Sequence, residues 1–388
     1  MNSKPRIAIC QPSIILGGRL RVILGIVDIL NRAGIVPDIL TTRLAFDPVQ
    51  VMDKYGRSLQ VHFRLLPRLP GLPVDSITVL FNAALRLYGR KYDLLINTGN
   101  SLIFLPRNKQ VLTYMFFPRK ARLLAEGASI HLPENRLSPW SRLGIQRAIL
   151  RPLYRWSKPH PDHAIVCMTR FTCDALHQVY DLPADLPIVY PPVDTARFRA
   201  GDRVRTPAVV SVGRFTPDKR QLEQIRLAEN LPHLPFHIVG FANNSPYYQQ
   251  CRRYVEEHRL GNVHLHPDAP FEEMLSLLQG SKYFLHSLIN EPFGITAVQA
   301  IAAGCLPIVH DSGGQREIVP ISELRYRDLS QVPAILDRLE SLDQAAVASL
   351  RAELQHHVAS NFDADIFARR MGAILAPYLD ERGGDAVP

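Results

Sequence analysis

Strand-like apolar runs alternate with helical stretches along most of this chain. The alternation breaks between Ile188 and Pro207, and mostly helical segments are predicted after Glu323. Before the break the predicted strands are Arg6–Cys10, Asp38–Thr42, Gln60–Leu66, Asp93–Thr98, Val111–Met115 and Ala164–Met168. After it they are Ala208–Gly213, Phe236–Gly240, Val263–His266, Tyr283–Ser287 and Leu306–His310. Because strands that alternate with helices assemble into parallel sheets covered on both faces, the pattern predicts an α/β protein with two doubly wound, Rossmann-like domains.

The break contains Pro191-Pro192 and a polar stretch, so we interpret it as the domain boundary. The predicted domains are residues 1–190 and 205–362, and residues 363–380 are predicted to form a last amphipathic helix that packs back toward the first domain. A chain of 388 residues is long for one core and sufficient for two domains. Since such sheets bind ligands at the carboxyl ends of their strands, we expect the site in a cleft between the domains.

The cysteine pattern argues against a secreted, disulfide-linked protein. The chain has five cysteines, an odd number, and none of them forms a C-x-x-C pair. No apolar run reaches the roughly 18 residues that a membrane-spanning helix requires, and no signal peptide is visible. We therefore predict a cytoplasmic protein that is at most peripheral on the cytoplasmic face of a membrane.

The net charge of +9 is concentrated in the segment Arg107–Lys158, which holds eleven Lys and Arg residues and two acids. Three arginines there recur at helical spacing beside three aromatic residues: Arg147, Arg151 and Arg155, with Trp140, Tyr154 and Trp156. This combination favours an anionic membrane surface or a phosphorylated acceptor as the partner. A solvated basic face, or a contact with the other domain, fits the pattern equally well. Nucleic acid is disfavoured because no known binding module accompanies the charge.

A second feature is the carboxylate Glu291 directly before an apolar helix that is predicted to begin at Phe293 or Gly294. The first N–H groups of a helix are unpaired and favour an anion such as a phosphate, and Glu291 would be free to accept hydrogen bonds from hydroxyl groups beside it. Hydroxyls next to a diphosphate describe a nucleotide sugar. The predicted donor-binding residues of this helix are Phe293, Gly294, Ile295, Thr296 and Gln299. The alternative is an ordinary amphipathic helix in which Gln299 is solvated.

Two cations follow the strand that opens the second domain. Arg214 leaves the strand and Lys219 lies just inside the next predicted helix, and a guanidinium beside an ammonium suits a diphosphate. The alternative is a surface arginine and lysine beside a proline turn. A glycine pair, Gly17-Gly18, follows the first strand, and by itself it indicates only a turn.

The order of these parts resembles the signature of the family-4 (group 1) retaining glycosyltransferases, which have the GT-B fold. The words His286–Gly294 and His310–Gly314 are most similar to the branch of the dolichol-linked α-1,2-mannosyltransferase. Two positions depart from the family pattern. Gln299 replaces a Glu that holds the ribose, and Phe116, in Tyr114–Pro118, replaces a His that reaches the donor sugar.

The resemblance implies a retaining transfer of a hexosyl group, first of all mannosyl, from a GDP- or UDP-linked sugar to a lipid-linked or polysaccharide acceptor. It implies that Arg214 and Lys219 neutralise the departing diphosphate and that Glu291 holds the sugar. It further implies that Gly17-Gly18 lets the backbone approach the donor phosphate or the acceptor. It also implies that no metal and no further cofactor is needed. The alternative function is a non-catalytic nucleotide-sugar-binding subunit of a glycan-assembly complex, which the replacements at Phe116 and Gln299 motivate.

Overall fold

The computed structural model describes residues 4–15, 17–45, 59–67, 74–124, 150, 152–199, 204–242 and 245–379. These residues form two compact units. The first unit contains the described residues up to 192 together with those from 364 onward, and the second contains residues 193–363. Each unit is built on its own six-stranded sheet.

The first unit has a parallel sheet in the order β3-β2-β1-β4-β5-β6. Its strands are β1 (Ile7–Cys10), β2 (Asp38–Thr41), β3 (His62–Leu65), β4 (Leu94–Asn97), β5 (Gln110–Met115) and β6 (Ala164–Cys167). Its helices include α1 (Gly18–Arg32), α2 (Val74–Tyr88), α3 (Arg119–Leu124) and α4 (Arg170–Tyr180). The central strands are buried on both faces, which is why the sequence shows them as continuous apolar runs.

The second unit repeats this design, with a parallel sheet in the order β12-β11-β10-β7-β8-β9. Its strands are β7 (Thr206–Val212), β8 (Phe236–Gly240), β9 (Val263–Pro267), β10 (Ser281–His286), β11 (Leu306–His310) and β12 (Arg325–Tyr326). Its helices are α5 (Gln221–Glu229), α6 (Pro246–Glu257), α7 (Phe271–Gly280), α8 (Ile295–Ala303), α9 (Gln315–Ile318), α10 (Val332–Glu340) and α11 (Gln344–Phe362). The prediction of two doubly wound parallel sheets is confirmed.

The last helix, α12 (Ala364–Leu379), belongs to the first unit and packs on α1. It buries Phe367, Met371 and Leu375. A Cβ atom at Gly25 of α1 would lie 2.8 Å from the Phe367 ring, so the glycine makes room for this contact. The Phe367 ring also packs against Tyr114 of β5, with 6.3 Å between the ring centroids.

The structure differs from the sequence prediction in three elements of the second unit. The helix predicted to begin at Phe293 or Gly294 begins at Ile295, with Gly294 as its N-cap. Lys219 lies in a short 3-10 helix, Pro217–Lys219, instead of inside α5. The two-residue strand β12 lies in a region predicted to be mostly helical, because so short a strand leaves no apolar run in the sequence.

The structure also bears on the predictions about the cysteines, the basic segment and membrane-spanning helices. All five cysteines are buried as free thiols. Arg147 and Arg151 lie outside the described residues, whereas Arg155 is exposed in a helical stretch at residues 152–155. Within the described part of the chain, no helix is both long and apolar enough to cross a membrane.

Candidate functional site

The first part of the site is the loop that follows β7. Arg214 is exposed there, and within the described residues its side chain makes no ion pair. The stem of Lys219 runs back over the end of the strand, since a Cβ atom on Gly213 would lie 3.6 Å from the Lys219 Cδ. The two predicted cations therefore belong to one short loop at the carboxyl end of the sheet.

The second part is the loop that follows β10, and a salt bridge joins it to the first. The Lys219 Nζ donates to the Glu291 Oε2 at 2.6 Å, and both side chains are mostly shielded from solvent. Burial by itself raises the pKa of Glu291, but the nearby Lys219 charge, His286, and the N–H of Phe293 outweigh it and hold this pKa below its ordinary value. The carboxylate that was expected to be free is thus ionised and paired with Lys219, so a hydroxyl group that binds it would compete with the lysine.

His286, the last residue of β10, adds a neutral imidazole to this pair. Its Nε2 lies 3.6 Å from the Glu291 Oε2, and its Nδ1 is hydrogen-bonded to the Gln315 side chain. Burial and, next, the Lys219 charge lower the pKa of His286 to about 3, so the ring is uncharged at neutral pH. At 3.6 Å the Nε2 makes no hydrogen bond to the carboxylate, so the ring lies beside Glu291 as a neutral polar group and adds no charge to the site.

A glycine pair after β11 fixes the backbone around Glu291. The Gly314 N–H donates to the Glu291 carbonyl at 2.8 Å. A Cβ atom on Gly313 would lie 2.4 Å from the Glu291 carbonyl oxygen, and one on Gly314 would lie 2.3 Å from the Pro292 carbonyl oxygen. No side chain fits at either position, so the loops after β10 and β11 lie in direct backbone contact.

Helix α8 completes this end of the sheet. Gly294 has a φ of 112°, and the first helical bonds run from Ala297 and Val298 to its carbonyl. The N–H groups of Ile295 and Thr296 precede these bonds, and a helix start of this kind attracts anions. Helix α8 would therefore bind a phosphate through its backbone N–H groups and not through its own side chains.

Two predicted residues of this segment lie elsewhere than expected. The Phe293 ring is buried and packs edge-on against Phe362, with 5.5 Å between the centroids, so only its backbone faces Glu291. Gln299 is 4% exposed, which excludes the alternative of a solvated amide. A buried amide on α8 can donate and accept hydrogen bonds, as a ribose hydroxyl requires.

The remaining predicted residues belong to the first unit. Gly17 is the N-cap of α1 with a φ of 146°, a conformation that favours glycine, and no atom lies within 4 Å of a Cβ built there. Gly18 is the first residue of α1. Phe116, which follows β5, is buried, and the Arg19 guanidinium lies 5.0 Å from its ring centroid. A cation therefore lies close to the ring at the position where the resemblance implies a histidine.

In the second unit the arrangement combines two cations, a helix N-terminus, one carboxylate and a neutral imidazole. It can hold a diphosphate and, beside it, hydroxyl groups. The described residues contain no group of three His, Cys, Asp or Glu side chains arranged to hold a metal ion. The proximity of His286 to Glu291 is not apparent from the sequence, although a polar residue at the end of a buried strand is a usable signal.

The match to a known protein family lies in the second unit of the chain. Residues 193–322 match the family model described as glycosyl transferases group 1. The human protein named GDP-Man:Man(3)GlcNAc(2)-PP-Dol alpha-1,2-mannosyltransferase is 33% identical over 147 residues, which cover 33% of this chain and 30% of that protein. The Xenopus laevis protein of the same name is 30% identical over 189 residues, which cover 42% and 38%. The chain therefore spans about a third of the length of these relatives.

Solved structures match over nearly the whole chain. A sucrose-phosphate synthase from Thermosynechococcus elongatus is 16% identical, with a TM-score of 0.71 and coverage of 97% of this chain and 99% of that one. WaaG, described as a glycosyltransferase involved in lipopolysaccharide biosynthesis, is 14% identical, with a TM-score of 0.69 and coverage of 95% and 99%. Anabaena Alr3699/HepE, crystallised with UDP and glucose, is 14% identical, with a TM-score of 0.68 and coverage of 96% and 99%. At such low identities the likeness concerns the fold.

Proposed function

We propose that this chain, whose residues 193–322 match the group 1 glycosyl transferases and whose fold is GT-B, transfers a hexosyl group from a nucleoside-diphosphate sugar to a glycan acceptor. The observation that supports this most directly is the Lys219–Glu291 salt bridge beside the N-terminus of α8. It brings one cation for a phosphate and one carboxylate for hydroxyls to the same end of the sheet. Both residues lie within the segment 193–322 that matches the family.

The proposed roles follow from the charges. Arg214 and Lys219 bind the diphosphate and stabilise the negative charge that develops as it leaves, so they act more strongly in the transition state than in the ground state. Glu291 accepts hydrogen bonds from the sugar, and Gln299 contacts the ribose. Transfer occurs with retention, by attack on the face that the leaving group departs from. The two cations take the place of a metal ion, and no further cofactor takes part.

For the donor and the acceptor we propose GDP-mannose and a lipid-linked glycan. The support is the printed name of the relatives, which describes a GDP-Man-dependent mannosyltransferase acting on a dolichol-linked oligosaccharide. A polysaccharide acceptor is the alternative within the same reaction class. We assign acceptor binding to the first unit.

We further propose that the first unit attaches to an anionic membrane surface through the outer side of α2. Leu80 and Leu87 of this helix are 46% and 61% exposed. The Arg86 guanidinium lies 5.6 Å from the ring centroid of the exposed Phe104. Helix α2 itself carries Arg86 and one acid, Asp75, and Arg90 and Lys91 follow it directly. Exposed apolar side chains among cations and few acids are typical of a surface that lies on anionic lipid, and they support a peripheral location on the cytoplasmic face.

The test is thermal stabilisation of the purified protein by GDP-, UDP-, TDP- and ADP-sugars in EDTA, followed by product analysis with a polyprenyl-linked glycan. We expect stabilisation by one nucleotide class and formation of an α-linked product without metal. Stabilisation without transfer or hydrolysis would favour a non-catalytic binding subunit, the alternative that the replacements at Phe116 and Gln299 motivate. No response to any of the four nucleotides would contradict the proposed donor site.

A further inference from the structure

Helix α5 carries two glutamines in the interior of the second unit, where apolar side chains are the norm. Gln221 is 2% exposed and Gln224 is 1% exposed. They are three residues apart, so they lie on the same side of the helix. Buried polar side chains need specific partners, and here the partners belong to the loop that carries Arg214 and Lys219.

Gln221 holds the first of these residues. Its Nε2 donates to the Arg214 carbonyl at 2.7 Å. The Thr216 hydroxyl donates to the same carbonyl at 3.3 Å. The backbone of Arg214 is thus bonded to α5 while its side chain remains exposed.

Gln224 holds the second residue through one intermediate. The Gln224 Nε2 donates to the Ser287 Oγ at 2.5 Å, and the Ser287 hydroxyl donates to the Lys219 carbonyl at 2.8 Å. Ser287 is buried and directly follows β10, on the chain segment that leads to Glu291. This hydrogen-bonded chain therefore connects α5, the end of β10 and the backbone of the lysine that pairs with Glu291.

The two glutamines are poor choices if only stability matters. Gln221 Oε1 and Gln224 Oε1 are buried, and neither has a hydrogen-bond partner among the described residues. An amide oxygen that is buried without a partner carries a desolvation cost that a methionine of similar size would not have. Side chains that reduce stability where an apolar side chain would fit are typical of residues kept for a functional site.

We propose that Gln221 and Gln224, the latter through Ser287, are positioning residues that fix the backbone of Arg214 and Lys219 in the geometry that binds a nucleoside diphosphate. This inference rests on the proposed function. Long cationic side chains lose less conformational entropy on binding when their backbone is already held in place. The glutamines contact neither phosphate nor sugar and act only through the two cations.

The test compares GDP and UDP binding, measured by calorimetry, with thermal stability in Gln224→Met and Ser287→Ala. Each variant breaks the hydrogen-bonded chain to Lys219, and Ser287→Ala does so with a smaller change in volume. We expect each to raise the Kd about tenfold, the scale of one buried hydrogen bond, and to leave Tm unchanged or higher in Gln224→Met. A residue with only a structural role would lower Tm and leave the Kd unchanged.

A double-mutant cycle with Lys219→Ala separates positioning from other effects. If Gln224 acts through Lys219, then Gln224→Met changes the Kd little in the Lys219→Ala background. An equal loss in both backgrounds would overturn the inference. The matched control is Gln279→Met in the same unit, since the Gln279 amide also donates to loop carbonyls, those of Phe198 and Arg199. We expect this control to bind GDP and UDP as the wild type does.

The outcomes distinguish this inference from the proposed function. If the wild type binds none of GDP, UDP, TDP and ADP, the proposed function fails, and the inference fails with it. If the wild type binds and Lys219→Ala weakens binding, but both Gln224→Met and Ser287→Ala bind normally, only the positioning role is overturned.

Discussion

Lys219 and Glu291 are 72 residues apart in sequence, and their side chains meet at 2.6 Å at the carboxyl ends of β7 and β10. Without a ligand, the Glu291 carboxylate lies where a phosphate oxygen would bind Lys219, and the Lys219 ammonium lies where a sugar hydroxyl would bind Glu291. A diphosphate would compete with Glu291 for the ammonium group, and a sugar hydroxyl would compete with Lys219 for the carboxylate. The salt bridge therefore favours the ionised form of Glu291 and holds both side chains in position before any ligand is present.

This competition predicts opposite effects of Glu291→Gln on binding and on turnover. Without the carboxylate, Lys219 is released and a phosphate meets less negative charge, so we expect the affinity for GDP or UDP to rise severalfold. Transfer should fall about a hundredfold or more because the sugar loses a charged acceptor. Calorimetry and a transfer assay measure the two effects. The control is Glu340→Gln, whose carboxylate pairs with Lys282 at 3.0 Å near the other end of β10 and should affect neither.

The two cations should differ when each is replaced by alanine. Arg214→Ala removes an exposed side chain and should weaken nucleoside-diphosphate binding by about tenfold to a hundredfold, with Tm unchanged. Lys219→Ala should weaken binding to a similar degree and also lower Tm, because it leaves the Glu291 carboxylate shielded from water without its cation. Equal Tm values for the two variants would contradict the role of the salt bridge in stability, and wild-type affinity in both would contradict the phosphate assignment.

Gly314→Ala should damage the site through the backbone alone. Its φ is −69°, so the substitution introduces no backbone strain, but the new Cβ would lie 2.3 Å from the Pro292 carbonyl oxygen. The loop that carries Glu291 must then shift, and we expect a destabilisation of about 1–3 kcal/mol together with a loss of donor binding. Gly280→Ala is the matched control, since no atom lies within 4 Å of a Cβ at that position. A Gly314→Ala protein with wild-type stability and binding would contradict the close contact.

The sequence predicts the fold well because the central strands are buried on both faces and therefore appear as unbroken apolar runs, as in Leu94–Asn97 and Leu306–His310. The exception is β12, whose two residues, Arg325 and Tyr326, are too few to produce a pattern. The observed helix starts differ from the predicted ones by one or two residues where an N-cap or a short 3-10 helix sets the boundary, as at Gly294 and Lys219.

The candidate site was only partly predictable for a different reason. Arg214, Lys219 and Glu291 follow strands, and strand ends are where ligands bind in such sheets, so these positions could be predicted singly. The pairing of Lys219 with Glu291 depends on β7 and β10 being neighbours, which the spacing of residues does not specify. Gln221 and Gln224 escape notice because polar residues on a helix are normally expected to face solvent.

The neutral state of His286 predicts a dependence of stability on pH. Above pH 6.5 the ring is uncharged in the folded and the unfolded chain. The pKa of His286 is about 3 in the folded chain, so between pH 6.5 and 3 this histidine is protonated in the unfolded chain and neutral in the folded one. The free energy of unfolding therefore falls as the pH falls. The slope from this one residue is at most about 1.4 kcal/mol per pH unit.

Denaturant unfolding between pH 7 and pH 5 measures this slope in the wild type and in His286→Gln. We expect a shallower slope in the variant, because glutamine takes up no proton in either the folded or the unfolded chain. The pKa of His237 is lowered to about 4, mainly by burial, so part of the slope should remain in the variant. Parallel curves for the two proteins would show that His286 is not held neutral.

The membrane surface proposed for α2 predicts that its apolar and its basic residues act together. We expect the wild type to sediment with vesicles of phosphatidylcholine and phosphatidylglycerol, and much less with phosphatidylcholine alone. Replacing Leu80 and Leu87 by Ser removes apolar area that can enter the interface, and replacing Arg86 and Arg90 by Gln removes about 1 kcal/mol of attraction per charge. Either double variant should bind anionic vesicles about tenfold more weakly, and only the loss of charge should reduce the sensitivity to salt.

Leu65→Ser is the control for this experiment, because Leu65 is 67% exposed on the edge strand β3 of the same unit. It should bind vesicles as the wild type does if exposure alone is not sufficient for membrane contact. Binding that is lost equally in Leu65→Ser and in the α2 variants would mean that the apolar surface acts without regard to position. Binding unchanged in both α2 variants would exclude this helix as the contact, and the basic segment Arg107–Lys158, which includes Arg155, would be the next candidate.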